Sequence, residues 1–140
     1  MKMADLQKLV DAINATASQE RANYHITLGD LVSALEKADP DAWVIYDTTE
    51  ESAPSAPQSY RGYYCDLSFP PSSTPIKVRE LLNEARDAIG STFEGYKGGD
   101  YRMSSDTPLW ASPYGSANGV GIMDVKTIGG RVVLITKQID

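Results

Sequence analysis

A chain of 140 residues is long enough for one domain with a substantial core and too short to make two comfortable ones. With 13 Lys+Arg against 19 Asp+Glu, its formal net charge of −6 argues against general binding of duplex DNA or of anionic membrane. One cysteine, Cys65, cannot form an intramolecular disulfide, which fits a reducing cytoplasm, and with His25 as the only histidine a zinc or haem site lacks its usual ligands.

In chain order, Leu6, Leu9, Val10, Ile13 and Ala17 recur at steps of three and four and predict an amphipathic helix that frays over 18–23. The opening Met1-Lys2-Met3-Ala4 leads into this mixed helix and does not read as a signal peptide. A second helix starts at Thr27, whose hydroxyl can cap backbone N–H groups, with Asp30 near the positive end of the macrodipole. Leu28, Leu31, Val32 and Leu35 form its apolar stripe, and Asp39-Pro40-Asp41 ends it near Ala38. Trp43-Val44-Ile45-Tyr46 predicts a central strand over 42–47. The segment 48–58, rich in Ser, Ala, Glu and Pro, is expected to be a surface loop, either a flexible connector or a lid over a neighbouring site.

Residues 59–69 are expected to form a strand that Pro70-Pro71 stops, with Gly62 marking a bulge or a close backbone approach. Val78, Leu81, Leu82, Ala85 and Ile89 predict a third helix closed by Gly90, with Arg79, Glu80, Glu84 and Arg86 facing water. A glycine-rich stretch, the segment 103–110 and a run of turn formers over 112–119 follow. Residues 120–128 and 131–137 then predict a hairpin across Gly129-Gly130. No apolar run approaches the roughly 20 residues of a membrane span, so a soluble intracellular protein is expected. The elements sum to a single α+β domain over 1–140: three helices packed on a mainly antiparallel sheet of about five strands, with a C-terminal β-hairpin.

Two stretches repeat the order Tyr, cation, Gly: Ser59-Tyr60-Arg61-Gly62-Tyr63-Tyr64 and Gly95-Tyr96-Lys97-Gly98-Gly99-Asp100-Tyr101. They hold five of the eight tyrosines and four of the eleven glycines, a composition suited to an anion carrying a flat ring. Arg61 offers a planar fork, Lys97 a point charge, Gly98 and Gly99 backbone donors, and Tyr60, Tyr63, Tyr96 and Tyr101 stacking surfaces. The competing reading makes Gly98-Gly99 a plain hairpin turn, the tyrosines a sheet-face covering, and Asp66 and Asp100 the partners of the cations. Thr107-Pro108-Leu109-Trp110 and Ser112-Pro113-Tyr114-Gly115 supply a further candidate wall, with Trp110 either lining the site or anchoring the core. The spacing is not that of a Lys-Ser/Thr phosphate loop. Cys65 lacks an adjacent base and reads as core, His25 reads as structural or as a polar surface residue, and Glu94, Asp100 and Asp106 read as solvated rather than as metal ligands.

The runs Thr-Leu-Gly-Asp-Leu-Val-x-Ala-Leu-Glu at 27–36, Ser59-Tyr60-Arg61-Gly62-Tyr63-Tyr64, Gly95-Tyr96-Lys97-Gly98-Gly99-Asp100-Tyr101 and Thr107-Pro108-Leu109-Trp110 resemble small proteins encoded by tailed phages and prophages. The resemblance spans most of the chain and implies a setting, an infected bacterial cytoplasm, rather than a reaction. Small phage proteins without an evident catalytic set often act on host defence, which implies a counter-defence protein. Its expected role is to sequester a nucleotide-derived immune signal without cleaving it, using no cofactor or metal. A homo-oligomer would place the loop of one subunit over the site of another. The alternatives are an inhibitor of a host protein that docks through acidic helices at 5–20 and 79–87, and a small nucleotide-processing enzyme with Glu94 or Asp100 as general base.

Overall fold

The computed structural model describes residues 25–139; the helix expected over 5–20 lies outside them. Helix α1 (Leu28–Glu36) begins in a capping box. The Thr27 hydroxyl accepts from the Asp30 backbone N–H at 3.2 Å, and the Asp30 carboxylate accepts from the Thr27 N–H at 2.9 Å. Leu28, Leu31 and Leu35 then fall on one buried face. Helix α2 (Val78–Ala88) is opened by Glu80, which accepts from the Lys77 N–H at 3.1 Å, and buries Val78, Leu81, Ala85 and Ala88. Ile89, expected on that face, is exposed because it is already extended as the helix C-cap. Gly90 follows at a φ of 80°, which only glycine adopts without strain. The two helices pack on each other, and Arg86 reaches Glu36 across their surface at 3.0 Å.

Eleven strands surround them among the described residues: β1 (Trp43–Tyr46), β2 (Ala53–Pro54), β3 (Gln58–Tyr60), β4 (Tyr63–Ser68), β5 (Pro71–Ser72), β6 (Ile76–Lys77), β7 (Thr92–Glu94), β8 (Asp100–Arg102), β9 (Leu109–Trp110), β10 (Val120–Ile128) and β11 (Arg131–Gln138). Seven of them form one sheet in the order β3-β4-β9-β10-β11-β1-β6, while β2 pairs with β5 and β7 with β8. The sheet is mixed, since β4 runs parallel to β9 and β1 parallel to β11.

This overturns the expectation of three helices on a mainly antiparallel sheet of about five strands. Among the described residues there are two helices and a mostly β fold. Three physical reasons account for the difference. Strands β6 and β9 are two residues long, too short to carry a period. The stretch 59–69 is a hairpin, with β3 returning as β4 through a turn at Arg61-Gly62. The two parallel pairings join strands far apart in the chain, which leaves no local signature. β1, expected at the centre, lies next to the edge, between β11 and β6. In the expected loop 48–58, Ala53 and Pro54 are buried and pair with Ser72 and Pro71.

The core lies between the helices and the sheet. Leu28, Leu31, Leu35, Val78 and Leu81 meet Val44, Leu67, Phe69, Leu109, Ile122 and Leu134 there. Tyr46 is buried among them and donates its hydroxyl proton to the Phe69 carbonyl at 2.5 Å. Burial pushes that hydroxyl's pKa far up.

Candidate functional site

The two neighbours Tyr60 and Arg61 point to different places. Tyr60 ends β3 and is buried, its ring stacked on Trp110 with centroids 4.2 Å apart and planes 12° from parallel. Its hydroxyl oxygen accepts from the Gly119 N–H at 3.0 Å. Trp110, on β9, donates its indole N–H to the buried Asp66 carboxylate at 2.9 Å and meets the His25 ring edge-on at 4.4 Å. His25 Nδ1 lies 2.9 Å from the Leu109 carbonyl; a carbonyl only accepts, so Nδ1 carries the proton. Tyr63, half exposed, lies across the rim of this stack, 5.9 Å from the Trp110 ring. Gly62 is required where it stands, because a Cβ there would come within 2.6 Å of the Tyr60 ring.

Arg61 turns outward. Its Nη1 donates to the Gly115 carbonyl at 2.5 Å, and its guanidinium carbon lies 4.2 Å from the centre of the Tyr96 ring. Tyr96 in turn meets Tyr114 edge-on at 6.4 Å. Between them opens a cleft of about 360 Å³ whose lining includes Gln58, Arg61, Glu94, Tyr96, Tyr114 and Gly115. Its far wall is held by the 112–119 segment. Ser112 exchanges two hydrogen bonds with the Ser68 hydroxyl at 3.0 Å, and its own hydroxyl donates to the Ser116 carbonyl at 2.7 Å. Gly115 adopts a φ of 71° between these ties, with its carbonyl on Arg61.

The second motif forms the β7–β8 hairpin. Gly98 and Gly99 take φ values of 97° and 83°, the Gly98 N–H donates to the Gly95 carbonyl, and the Gly95 N–H donates to the Gly99 carbonyl, both at 2.8 Å. The turn therefore uses the Gly98 N–H itself. Lys97 is exposed at the tip, Asp100 opens β8 exposed to solvent, and Tyr101 packs on Tyr64 at 5.5 Å against the core. Of the expected site residues, the fold thus brings Arg61 and Tyr96 together, with Lys97 following Tyr96 in the chain at the exposed tip of the turn. It places Tyr60 and Trp110 in the core, Gly62 against Tyr60 and Tyr63 on the rim.

Gln58, Tyr114 and Gly115 were not among the expected ligand contacts. Tyr114-Gly115 was visible as part of a candidate wall, but its meeting with Arg61 spans 54 residues and leaves no local mark. Cys65 is half-buried with its thiol 3.7 Å from Asp66. Among the described residues no three His, Cys, Asp or Glu side chains come together as metal ligands, Glu94, Asp100 and Asp106 included. Nor is any described helix long and apolar enough to cross a membrane. No protein-family model, curated protein or solved structure matches the chain.

Proposed function

We propose that the protein binds a small anion carrying a flat ring in the Arg61–Tyr96–Tyr114 cleft and holds it without chemical change. The single observation that carries this reading is the Arg61 guanidinium lying over the Tyr96 face at the edge of a cleft of about 360 Å³. A guanidinium has five N–H donors in a planar fork, and stacking on a ring with one hydrogen bond to Gly115 presents that fork in a fixed plane. Phosphate is the anion this geometry suits, with Tyr114 as the surface for a base and Lys97 as a second charge from the neighbouring turn. The volume falls at the lower end of small-ligand pockets, about 300–1,000 Å³.

In the phage setting that the motifs suggest, the ligand is a nucleotide-derived immune signal of the bacterial host, and the protein a counter-defence sponge in its cytoplasm. One observation favours a nucleotide-processing enzyme instead: Glu94 lines the same cleft and could serve as general base.

The test loads purified protein with a mixture of cyclic and linear nucleotide messengers, removes free ligand, denatures the protein and identifies what is released by mass spectrometry. One unchanged nucleotide, lost in Arg61→Ala and in Tyr96→Ala, is the expected result. A modified nucleotide whose formation needs Glu94 transfers the cleft to the enzyme reading. Release of nothing rejects both and leaves docking to a host protein.

A further inference from the structure

A separate feature lies in the same sheet, where β10 and β11 form its longest hairpin. Gly129 and Gly130 take φ values of 59° and 78°, the two left-handed residues of a type I′ turn, which makes Ile128 and Arg131 the hydrogen-bonded closing pair. The alternation of an antiparallel ladder then fixes every residue before it. Lys126 and Asp124 direct their main-chain groups to Val133 and Ile135 of β11, whereas Thr127 and Val125 direct theirs to the other edge. The far side of β11 obeys the same rule, since Leu134, opposite Val125, gives its carbonyl to Asp47 beside β1.

On that outer edge β10 meets β9 only at Gly121, and Ile26 donates to the Ile122 carbonyl at 2.9 Å. Beyond Ile122 no described strand pairs with it. The Val125 N–H is instead held by the carboxylate of Asp124, the preceding residue, at 2.8 Å. An edge of this kind is a template for another strand.

We infer that the 123–127 edge of β10 is a two-fold interface that pairs antiparallel with the same edge of a second copy of this chain. The charges select both the occupant and the register. Asp124 and Lys126 are exposed on one face, flank Val125, and form no ion pair among the described residues. A two-fold axis through Val125 sets Asp124 of each copy opposite Lys126 of the other, at the closely spaced positions of the ladder where side chains interact most strongly. An axis through Asp124 or Lys126 opposes like charges, and one through Met123 or Thr127 sets these charges against uncharged residues. Only the Val125 register makes two opposite-charge pairs. On forming, it exchanges the local Asp124 contact for a main-chain bond from Val125, which frees the carboxylate for Lys126. The irregularity between Ile122 and Asp124 at one end and the turn at the other limit the ladder to about five residues, so the dimer is weak and concentration-dependent. This interface does not rest on the cleft reading.

Sedimentation equilibrium of the full chain over a concentration series tests it. The wild type is expected to shift from monomer to dimer as concentration rises. Asp124→Lys and Lys126→Asp should each weaken dimerisation about tenfold or more, since each turns two attractive pairs into repulsive ones, and the combined charge exchange should restore it. Thr127→Pro, which removes an outward N–H at an exposed position, should weaken the dimer while thermal unfolding of the monomer stays cooperative. A wild type that remains monomeric overturns the inference. So does a dimer that is indifferent to either charge reversal, or one that the combined exchange fails to restore.

Discussion

Tyr60 and Arg61 are adjacent in the chain and live in different solvents. Tyr60 is 2% exposed; its ring stacks on Trp110 and its hydroxyl oxygen accepts from the Gly119 N–H, contacts that serve the fold. Arg61, one residue later, spends its guanidinium on a loop carbonyl and an exposed ring beside a cleft. The divide follows from the strand. Tyr60 is the last residue of β3, which buries both Ser59 and Tyr60 across a register irregularity, and Arg61 is the first residue of the turn to β4, where the chain leaves the sheet and its side chain is exposed. What reads in sequence as one aromatic and cationic motif is an anchor and a hand, and they should respond to substitution in opposite ways.

The anchor side should show the largest effects. Trp110→Ala removes the ring between Tyr60 and His25 and takes the indole donor from Asp66, so we expect a loss of about 3–5 kcal/mol in denaturant unfolding. A loss below about 1 kcal/mol would show that the stack is not holding the fold. Gly62→Ala puts a methyl group against the Tyr60 ring and should cost about 1–3 kcal/mol. Tyr60→Ala in the same background should relieve most of that penalty, which a double-mutant cycle reads directly.

Tyr46 extends the buried side into pH. Burial raises its pKa in the folded state above the ordinary value of 10.0, so above that pH the unfolded chain loses a proton that the folded chain keeps. The resulting stability is fully present below about pH 10 and declines as pH rises, by about 1.4 kcal/mol per unit. Urea melts from pH 8 to 11 should show that slope in the wild type and a shallower one in Tyr46→Phe. Equal slopes would mean that the hydroxyl has another means of ionising in the fold.

Local chemistry was readable and distant pairing was not. Two consecutive glycines between β-rich runs mark the β10–β11 turn, and Thr27 with Asp30 marks the start of α1, because the atoms that satisfy each motif lie within four residues. Strand β9 gives no such signal. Leu109 and Trp110 become a strand only because β4 and β10 stand on either side. In the cleft the same limit applies: Arg61 and Tyr96 carry readable chemistry, but their meeting depends on the hairpin at 95–99 and on a loop tied down through Ser68 and Ser112. Trp110 had two readings on sequence, and the buried Asp66 beneath its indole is what places it in the core.

The smallest effect on stability should come from the hand, and that contrast carries the functional argument. Arg61 is exposed, so Arg61→Ala should change unfolding free energy by less than about 1 kcal/mol while weakening retention of the bound anion at least tenfold. Arg61→Lys separates charge from shape. Lysine keeps the positive charge but not the planar fork, nor the stacking of that fork on Tyr96. If the cleft reads phosphate through the fork, isothermal titration with the recovered ligand should place Arg61→Lys close to Arg61→Ala. If only local positive charge matters, Arg61→Lys should behave like the wild type, and the recognition would pass from Arg61 to the field it shares with Lys97. A large loss of stability in either variant would instead move Arg61 to the anchor side, and the division between Tyr60 and its neighbour would fail.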